Sequence, residues 1–229
     1  MFFLCNFIII KEGCEIKLCV RYGIGIIKVG RMSQMKKIIL ASNNSHKLKE
    51  FREVFSGYEV LGLRDIGFID DIVEDGDSFE ENSEIKARAV QKFLKDQDIV
   101  ADVIADDSGL VVDVLGGEPG IYSARYSGEH DDKANREKLL FKLGRETKRD
   151  AHFVCCLVLV KSTGEKIVAM GKTYGEITLE ERGDTSFGYD CLFYSLELKK
   201  TFGEATAEEK NAVSHRGKAI QRLRELVMF

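Results

Sequence analysis

Two adjacent carboxylates, Asp106 and Asp107, lie inside the otherwise apolar stretch Ile104-Ala105-Asp106-Asp107-Ser108-Gly109-Leu110-Val111-Val112. An acidic pair there limits what the chain can fold into, because each carboxylate must find water, a cation or a donor. The pattern predicts a strand that delivers acids to its end, a tight Ser-Gly turn and a second strand leaving. Side chains alternate along a strand, so the two acids point to different sides. Paired acids at a strand end suit a hard divalent cation, which takes carboxylate oxygens and keeps several waters. On this stretch alone, a polar turn and an acid site for a cation both stand.

The 229 residues suit one domain, or one domain with a lobe. A net charge of −4 argues against a general nucleic-acid binder, which carries a basic face. The six cysteines form no C-x-x-C pair and no zinc spacing, and Cys155-Cys156 sit in an apolar run. Buried reduced thiols in a cytoplasmic protein are the expectation.

Residues 1–34 look foreign to the rest of the chain, as an atypical N-terminal extension before a domain at 35–229. The apolar run around Ile8-Ile9-Ile10 breaks at Lys11-Glu12, short of the roughly 20 residues of a membrane span. No signal-peptide pattern is present, and no membrane association is expected. Met32 and Met35 precede the first well-formed strand, and translation is expected to begin at one of them.

Lys37 to Ala41 reads as that strand, Ser42-Asn43-Asn44-Ser45 as a polar turn, and His46 to Phe55 as a helix. Strand, turn and helix N-terminus make an anion site, to which Lys47 adds charge. Tyr58 to Leu63 suggests a second strand. An acidic loop from Asp70 to Asp77, carrying Glu74, leads to Ser78, an N-cap with Glu81 three residues on. The helix from Phe79 to about Leu94 shows an apolar stripe of Phe79, Ile85, Ala89 and Phe93, with Asn82 and Lys86 four apart on one face. Gly116 to Gly120, with the single proline, and Ile121 to Tyr126 mark a fixed loop. Lys133 to Leu143 reads as a helix, and Phe153 to Val160 with Ile167 to Tyr174 as a hairpin. Cys191 to Tyr194 re-enters a strand. The closing helix has Ala219, Ile220, Leu223 and Leu226 as its apolar face.

A P-loop, a G-x-S-x-G elbow and a zinc cluster are all missing. What remains is acids, lysines and arginines on polar loops, a set suited to magnesium–polyphosphate chemistry. The segments Ile104 to Leu110, Val112 to Tyr126, Phe187-Gly188-Tyr189-Asp190 and Ser214-His215-Arg216-Gly217 together resemble the signatures of the non-canonical purine NTP pyrophosphatases, also called inosine/xanthosine triphosphate pyrophosphatases. The resemblance runs from about Lys37 to Leu226. It implies an α/β fold with an elongated, mixed, twisted sheet flanked by helices, two lobes with a central cleft, and a homodimer. It also implies Mg²⁺-dependent cleavage of ITP, dITP and XTP to monophosphate and pyrophosphate, which removes deaminated purines from the nucleotide pool.

Position by position, Asp107 matches the catalytic proton acceptor, which also holds metal, and Glu74 a metal-binding carboxylate; Asp106 has a supporting metal role. Ser42, Asn43, Asn44, Ser45, His46 and Lys47 match the phosphate-contacting turn, and Ser108 a substrate contact. Phe187, Gly188, Tyr189, Asp190, Lys210, His215 and Arg216 match nucleotide-binding positions. On this reading Lys47 and Lys210 neutralise the leaving pyrophosphate, Phe187 stacks on the base, and His215 and Arg216 donate to a 6-oxo group that adenine lacks. The chain has Ser-Asn-Asn where the family commonly has Thr-Gly-Asn or Ser-x-Asn, and Cys191 where it usually has Pro. Two alternatives differ in class: a Maf-type pyrophosphatase, not expected to carry Ser-His-Arg-Gly, and a non-catalytic nucleotide sensor, which has no need of a base.

Overall fold

The computed structural model describes residues 6–12, 15–22, 25–31, 36–128, 130–185 and 187–227. The chain divides into two compact units, 1–36 and 37–229. In the first, β1 (Asn6–Glu12), β2 (Glu15–Tyr22) and β3 (Gly25–Arg31) form an antiparallel sheet. Residue pattern assigns no element there, and the expected start at Met32 or Met35 falls outside the described residues.

The second unit is built on a seven-stranded mixed sheet. Its strands are β4 (Lys37–Leu40), β5 (Glu59–Leu61), β6 (Asp102–Val112), β7 (Asp150–Val160), β8 (Lys166–Ile177), β9 (Phe193–Ser195) and β10 (Lys200–Thr201), in the order β10-β9-β8-β7-β6-β4-β5. β4 runs parallel to β5 and β6, and the other pairs are antiparallel. The helices are α1 (Ser45–Val54), α2 (Phe79–Asp96), α3 (Asp132–Leu143), α4 (Ala207–Val213) and α5 (His215–Val227), with a 3₁₀ segment at Gly120–Arg125. This is the α/β architecture the resemblance implied.

Alternation sorts the core into layers. Ile38, Leu40, Ile104, Cys155 and Leu157 pack with Phe51 of α1 and Ala219, Ile220 and Leu223 of α5 on one face. Ile39, Val103, Ala105, Cys156 and Val158 pack with Ala87, Val90 and Leu94 of α2 on the other. A third cluster, including Leu110, Phe153, Leu139 and Phe193, fills the far end of the long strands. Each fully buried aliphatic or aromatic side chain contributes about 1.5–3 kcal/mol. Two helix faces differ from expectation. On α2, Phe79, Ile85, Ala89 and Phe93 are only half-buried, and the core-facing stripe is Ser83, Lys86, Ala87, Val90 and Leu94. Leu226 of α5 is 43% exposed, beyond the end of the packed face.

The larger correction concerns Asp-Asp-Ser-Gly. The stretch contains no turn: β6 runs straight through it, paired with β7 from Val103↔Val160 to Val112↔Ala151 without a shift. A short run of polar residues fits a strand as well as a turn, and the long β7 partner decides between them. Gly109 serves close approach instead, since a Cβ there would lie 2.3 Å from Gly120 O and 2.7 Å from Ser123 Oγ. Gly109→Ala must push away the 3₁₀ backbone and is expected to cost about 1–3 kcal/mol in urea denaturation; unchanged stability would show that the segment is not held against the strand.

Candidate active site

β4 pairs with β6 only as far as Leu40↔Ile104, after which its chain leaves the sheet. Ala41 N–H still reaches Ile104 O at 2.8 Å. Farther on, Leu110 N–H donates to Ser123 Oγ at 2.9 Å. Between these contacts, among the described residues, no strand covers that edge of β6, and the gap holds Asp106, Asp107 and Ser108. Ligands of α/β sheets lie in such crevices, beyond the carboxyl ends of parallel strands.

The turn after β4 is fixed by its own side chains. Ser42 Oγ accepts from Asn44 N–H (3.1 Å), and Asn44 Oδ1 caps α1 by accepting from Lys47 N–H (3.1 Å). Asn43 Oδ1 accepts from Arg64 N–H at 3.1 Å. The start of α1, the positive end of its dipole, therefore carries Lys47 to Asp106 in the gap. The side chain of His46 lies outside the described residues.

The two acids diverge as alternation requires. Asp106 goes to the α1/α5 face, where it pairs with Lys47 Nζ and accepts from Arg216 Nε (2.8 Å), Ser108 Oγ (3.1 Å) and Cys155 Sγ (3.4 Å). Its side chain is fully buried. Burial alone would raise its pKa, but Lys47 and Arg216 outweigh burial and hold the carboxyl well below the usual range. Asp106 is thus an anchor for two cations, and both of its oxygens already accept from donors of the chain.

Asp107 goes to the α2 face. Its Oδ2 accepts from Asn82 Nδ2 at 3.3 Å, and Lys86 Nζ lies 3.5 Å from Oδ1 and 2.8 Å from Glu74 Oε2. Burial raises the Asp107 pKa, against the opposing charge of Lys86, and Glu74 adds to the rise. Of the two neighbours, Asp107 is the stronger base. Asn82 and Lys86 were missing from the expected site residues, although their four-residue spacing signalled a shared face. Arg125 Nη2 donates to the Glu74 carbonyl at 3.4 Å and ties the acidic loop to the 3₁₀ segment.

A cavity of about 590 Å³ opens on the Asp106 side, lined by Asn43, Asn44, Ser45, Lys47, Ser108, Phe187, Gly188, Tyr189, Asp190, His215 and Arg216 among others. Glu74 and Asp107 do not line it; they meet around Lys86 across the open edge of β6. Lys210 lines an adjoining hollow that shares Phe187 and Asp190 with the cavity. It pairs with Asp190 and sits 5.1 Å from the centre of the Phe187 ring. The structure thus places Lys210 at the aromatic end, whereas Lys47 is held beside the turn after β4. His130 and Asp132 also border the cavity; nothing in their sequence spacing marked them.

The loop before β9 is held from several sides. Gly188, at φ 50°, donates its N–H to Asp132 Oδ2 (2.8 Å), and its carbonyl accepts from Arg136 Nη1 (2.9 Å). Tyr189 O–H donates to Ser123 O at 2.8 Å. Cys191, in place of the family's proline, is a buried free thiol pushed up to about 11 by burial. His215 stacks on Phe153 (4.8 Å, 15°), and burial, then Arg216, holds its pKa well below the ordinary imidazole value. It is neutral near pH 7. Arg216 is braced by Asp106 and, through Nη1, by Glu50 at 2.9 Å, so those nitrogens are not offered to a base.

Among the described residues, no group of three or more His, Cys, Asp or Glu side chains gathers to hold a metal. The donor set nonetheless fits a magnesium ion. Such an ion needs only one or two carboxylates besides water and phosphate. Glu74 and Asp107 already converge on a single cationic group, Lys86.

Asp106→Asn would leave Lys47 and Arg216 without their buried anion, at a cost of about 3–5 kcal/mol. The folded carboxyl is depressed, so its stabilisation is present above the unfolded pKa near 4 and is lost only as pH falls through the lower folded value. Denaturation of both proteins should therefore show the same difference at pH 7 and pH 5; a difference that shrinks at pH 5 would contradict the anchor role.

The sequence profile of the Ham1 family matches residues 38–226. The chain is 51% identical over 199 residues to the dITP/XTP pyrophosphatase of Clostridium perfringens, covering 83% of this chain and 97% of that protein. It also resembles the solved structure of the Staphylococcus aureus Ham1 protein, with a TM-score of 0.77, 44% identity, and coverage of 84% of this chain and 98% of that one. For a HAM1 protein from Coxiella burnetii the TM-score is 0.76 at 35% identity, covering 85% and 99%. With the match spanning the sheet, the acid pair and the cavity alike, the chain belongs to the Ham1 family.

Proposed function

We propose that the chain is a Mg²⁺-dependent nucleoside triphosphate pyrophosphatase. It hydrolyses ITP, dITP and XTP between the α and β phosphates, releasing monophosphate and pyrophosphate and clearing deaminated purines from the nucleotide pool. One observation carries the reading: neighbouring acids of one strand are divided into a buried anionic anchor and a more basic carboxylate, at an edge flanked by a capped helix N-terminus and an open cavity. The curated relatives named dITP/XTP pyrophosphatase supply the substrate class. The match along 38–226 sets the Maf-type alternative aside.

Phosphates rest on the N–H groups at the start of α1 and on Lys47, which Asp106 holds in place. Asp107 accepts the proton of the water that attacks the α-phosphorus, with Asn82 orienting its carboxylate. Glu74 and Asp107 would hold Mg²⁺, which supplies charge neutralisation on the phosphate oxygens. Phe187 stacks on the base and His215 faces its 6-position. Adenine presents a donor there and leaves a buried donor unpaired, which costs about 1–3 kcal/mol. We place the protein in the cytoplasm as a homodimer with residues 35–229 as the catalytic unit. The buried free thiols Cys155, Cys156 and Cys191 agree with a reducing compartment. Among the described residues, no helix is long and apolar enough to cross a membrane.

Incubation with ITP, dTTP, UTP and ATP plus Mg²⁺ should release pyrophosphate from ITP selectively. Release of phosphate instead would refute the proposed bond cleavage, and no turnover would favour the sensor. Asp107→Asn should lower kcat by at least about 100-fold while ITP binding is retained, the scale of a lost general base. An unchanged kcat would remove Asp107 from that role.

A further inference from the structure

The face of the sheet that holds Asp107 is covered unevenly. Cross-strand partners share a face: Asp107 and Cys156 lie in one row with Met170, Val154 in the next with Lys172, and His152 in the next with Tyr174. α2 packs on Cys156 and Val158 of β7, and Phe79 with the 3₁₀ segment closes over Gly109 of β6. That cover ends at β7. Cys156 and Val154 are buried, whereas Met170 is 48% and Tyr174 57% exposed, with Lys172 and Glu176 exposed beside them. On the opposite side of β8 every second residue from Ala169 to Ile177 is buried. An open face of an antiparallel sheet is ordinarily polar, and apolar side chains left together on one mark an interaction surface.

The charges of this face are unmatched within the chain. Lys166, at the start of the same strand, pairs with Glu80 and Glu84. Among the described residues, the side chains of Lys172 and Glu176 make no hydrogen bond or ion pair. They stand two positions to either side of Tyr174, about 14 Å apart along the strand, too far to meet each other.

We propose that the outer face of β8 is the homodimer interface, with Tyr174 at the two-fold axis and Lys172 paired with Glu176 of the second copy. In a two-fold interface one patch meets itself, so every charge needs its complement within that patch. An axis running across the strands through Tyr174 lays the two copies of β8 antiparallel and face to face. It sets lysine over glutamate twice. An axis along the strands would set lysine against lysine and glutamate against glutamate, so charge selects the first arrangement. Met170 and Tyr174 supply the apolar contact between sheets about 10 Å apart. The inference rests on the proposed homodimer and names its face. The second copy then lies two strands from Asp107, on the same side of the sheet.

Sedimentation velocity of the full chain should show a dimer at micromolar concentration. Lys172→Glu and Glu176→Lys should each raise the dissociation constant about 100-fold or more, since each puts like charges opposite one another twice. An equimolar mixture of the two variants should dimerise again, because every pair across the interface is then opposite in charge. The double variant should also dimerise, which shows that the chain tolerates both substitutions. A monomeric wild type would overturn the proposal and leave the face to a different protein. A dimer insensitive to both single variants, or variants restored by neither the mixture nor the double swap, would overturn it as well. Pyrophosphate release from ITP is read on the same samples. Turnover by a monomeric wild type would overturn the interface alone, and a charge-dependent dimer without turnover would sustain the interface and refute the pyrophosphatase reading.

Discussion

Placing a lone carboxylate in a dry interior costs several kcal/mol, and Asp106 is buried completely within the long pairing of β6 with β7. Its ion pairs with Lys47 of α1 and Arg216 of α5 turn that cost into a constraint. Two helices from opposite ends of the chain must meet over one strand residue. Glu50 closes the network from α1 onto Arg216 at 2.9 Å. The same contacts fix the start of α1 against the Ser-His-Arg segment, so the cavity that both line depends on this one buried charge.

The open edge of β6 depends on where its backbone partners stop. β4 is four residues long and ends where the turn begins. The far part of the edge is covered by a 3₁₀ segment, which lies close enough only because Gly109 carries no side chain. What is left uncovered is the short interval of Asp106, Asp107 and Ser108. A charged ligand there can meet the cavity on one side of the sheet and the Glu74–Lys86–Asp107 group on the other.

Much of the local structure is legible in residue order. The N-cap at Ser78, the first strand and its polar turn, the β7–β8 hairpin and the divergence of the two acids all follow from short-range rules, and the structure agrees with them. The capping detail differs slightly: Ser78 Oγ accepts from Glu81 N–H, but the Glu81 carboxylate accepts from Asp77 N–H and not from Ser78. Ser108-Gly109 suggests a turn that the fold does not contain, because a glycine that permits close approach looks like one that permits a bend. The α2 stripe differs because Lys86 and Ser83 face inward, and polarity alone does not reveal a buried partner across the sheet.

Pattern and periodicity were enough to establish an α/β chain with acids on a strand, a polar turn leading into a helix and motifs shared with a pyrophosphatase family, since these depend on neighbours within a few residues. The tertiary structure alone decided which acid is taken up by ion pairs and which stays basic, because that depends on cations 59 and 110 residues away along the chain. It also decided that Lys210 stands with the aromatic end, that Lys86 joins Glu74 to Asp107, and that His215 is buried and neutral. Each of these is a matter of distance and dielectric between segments that residue order leaves far apart.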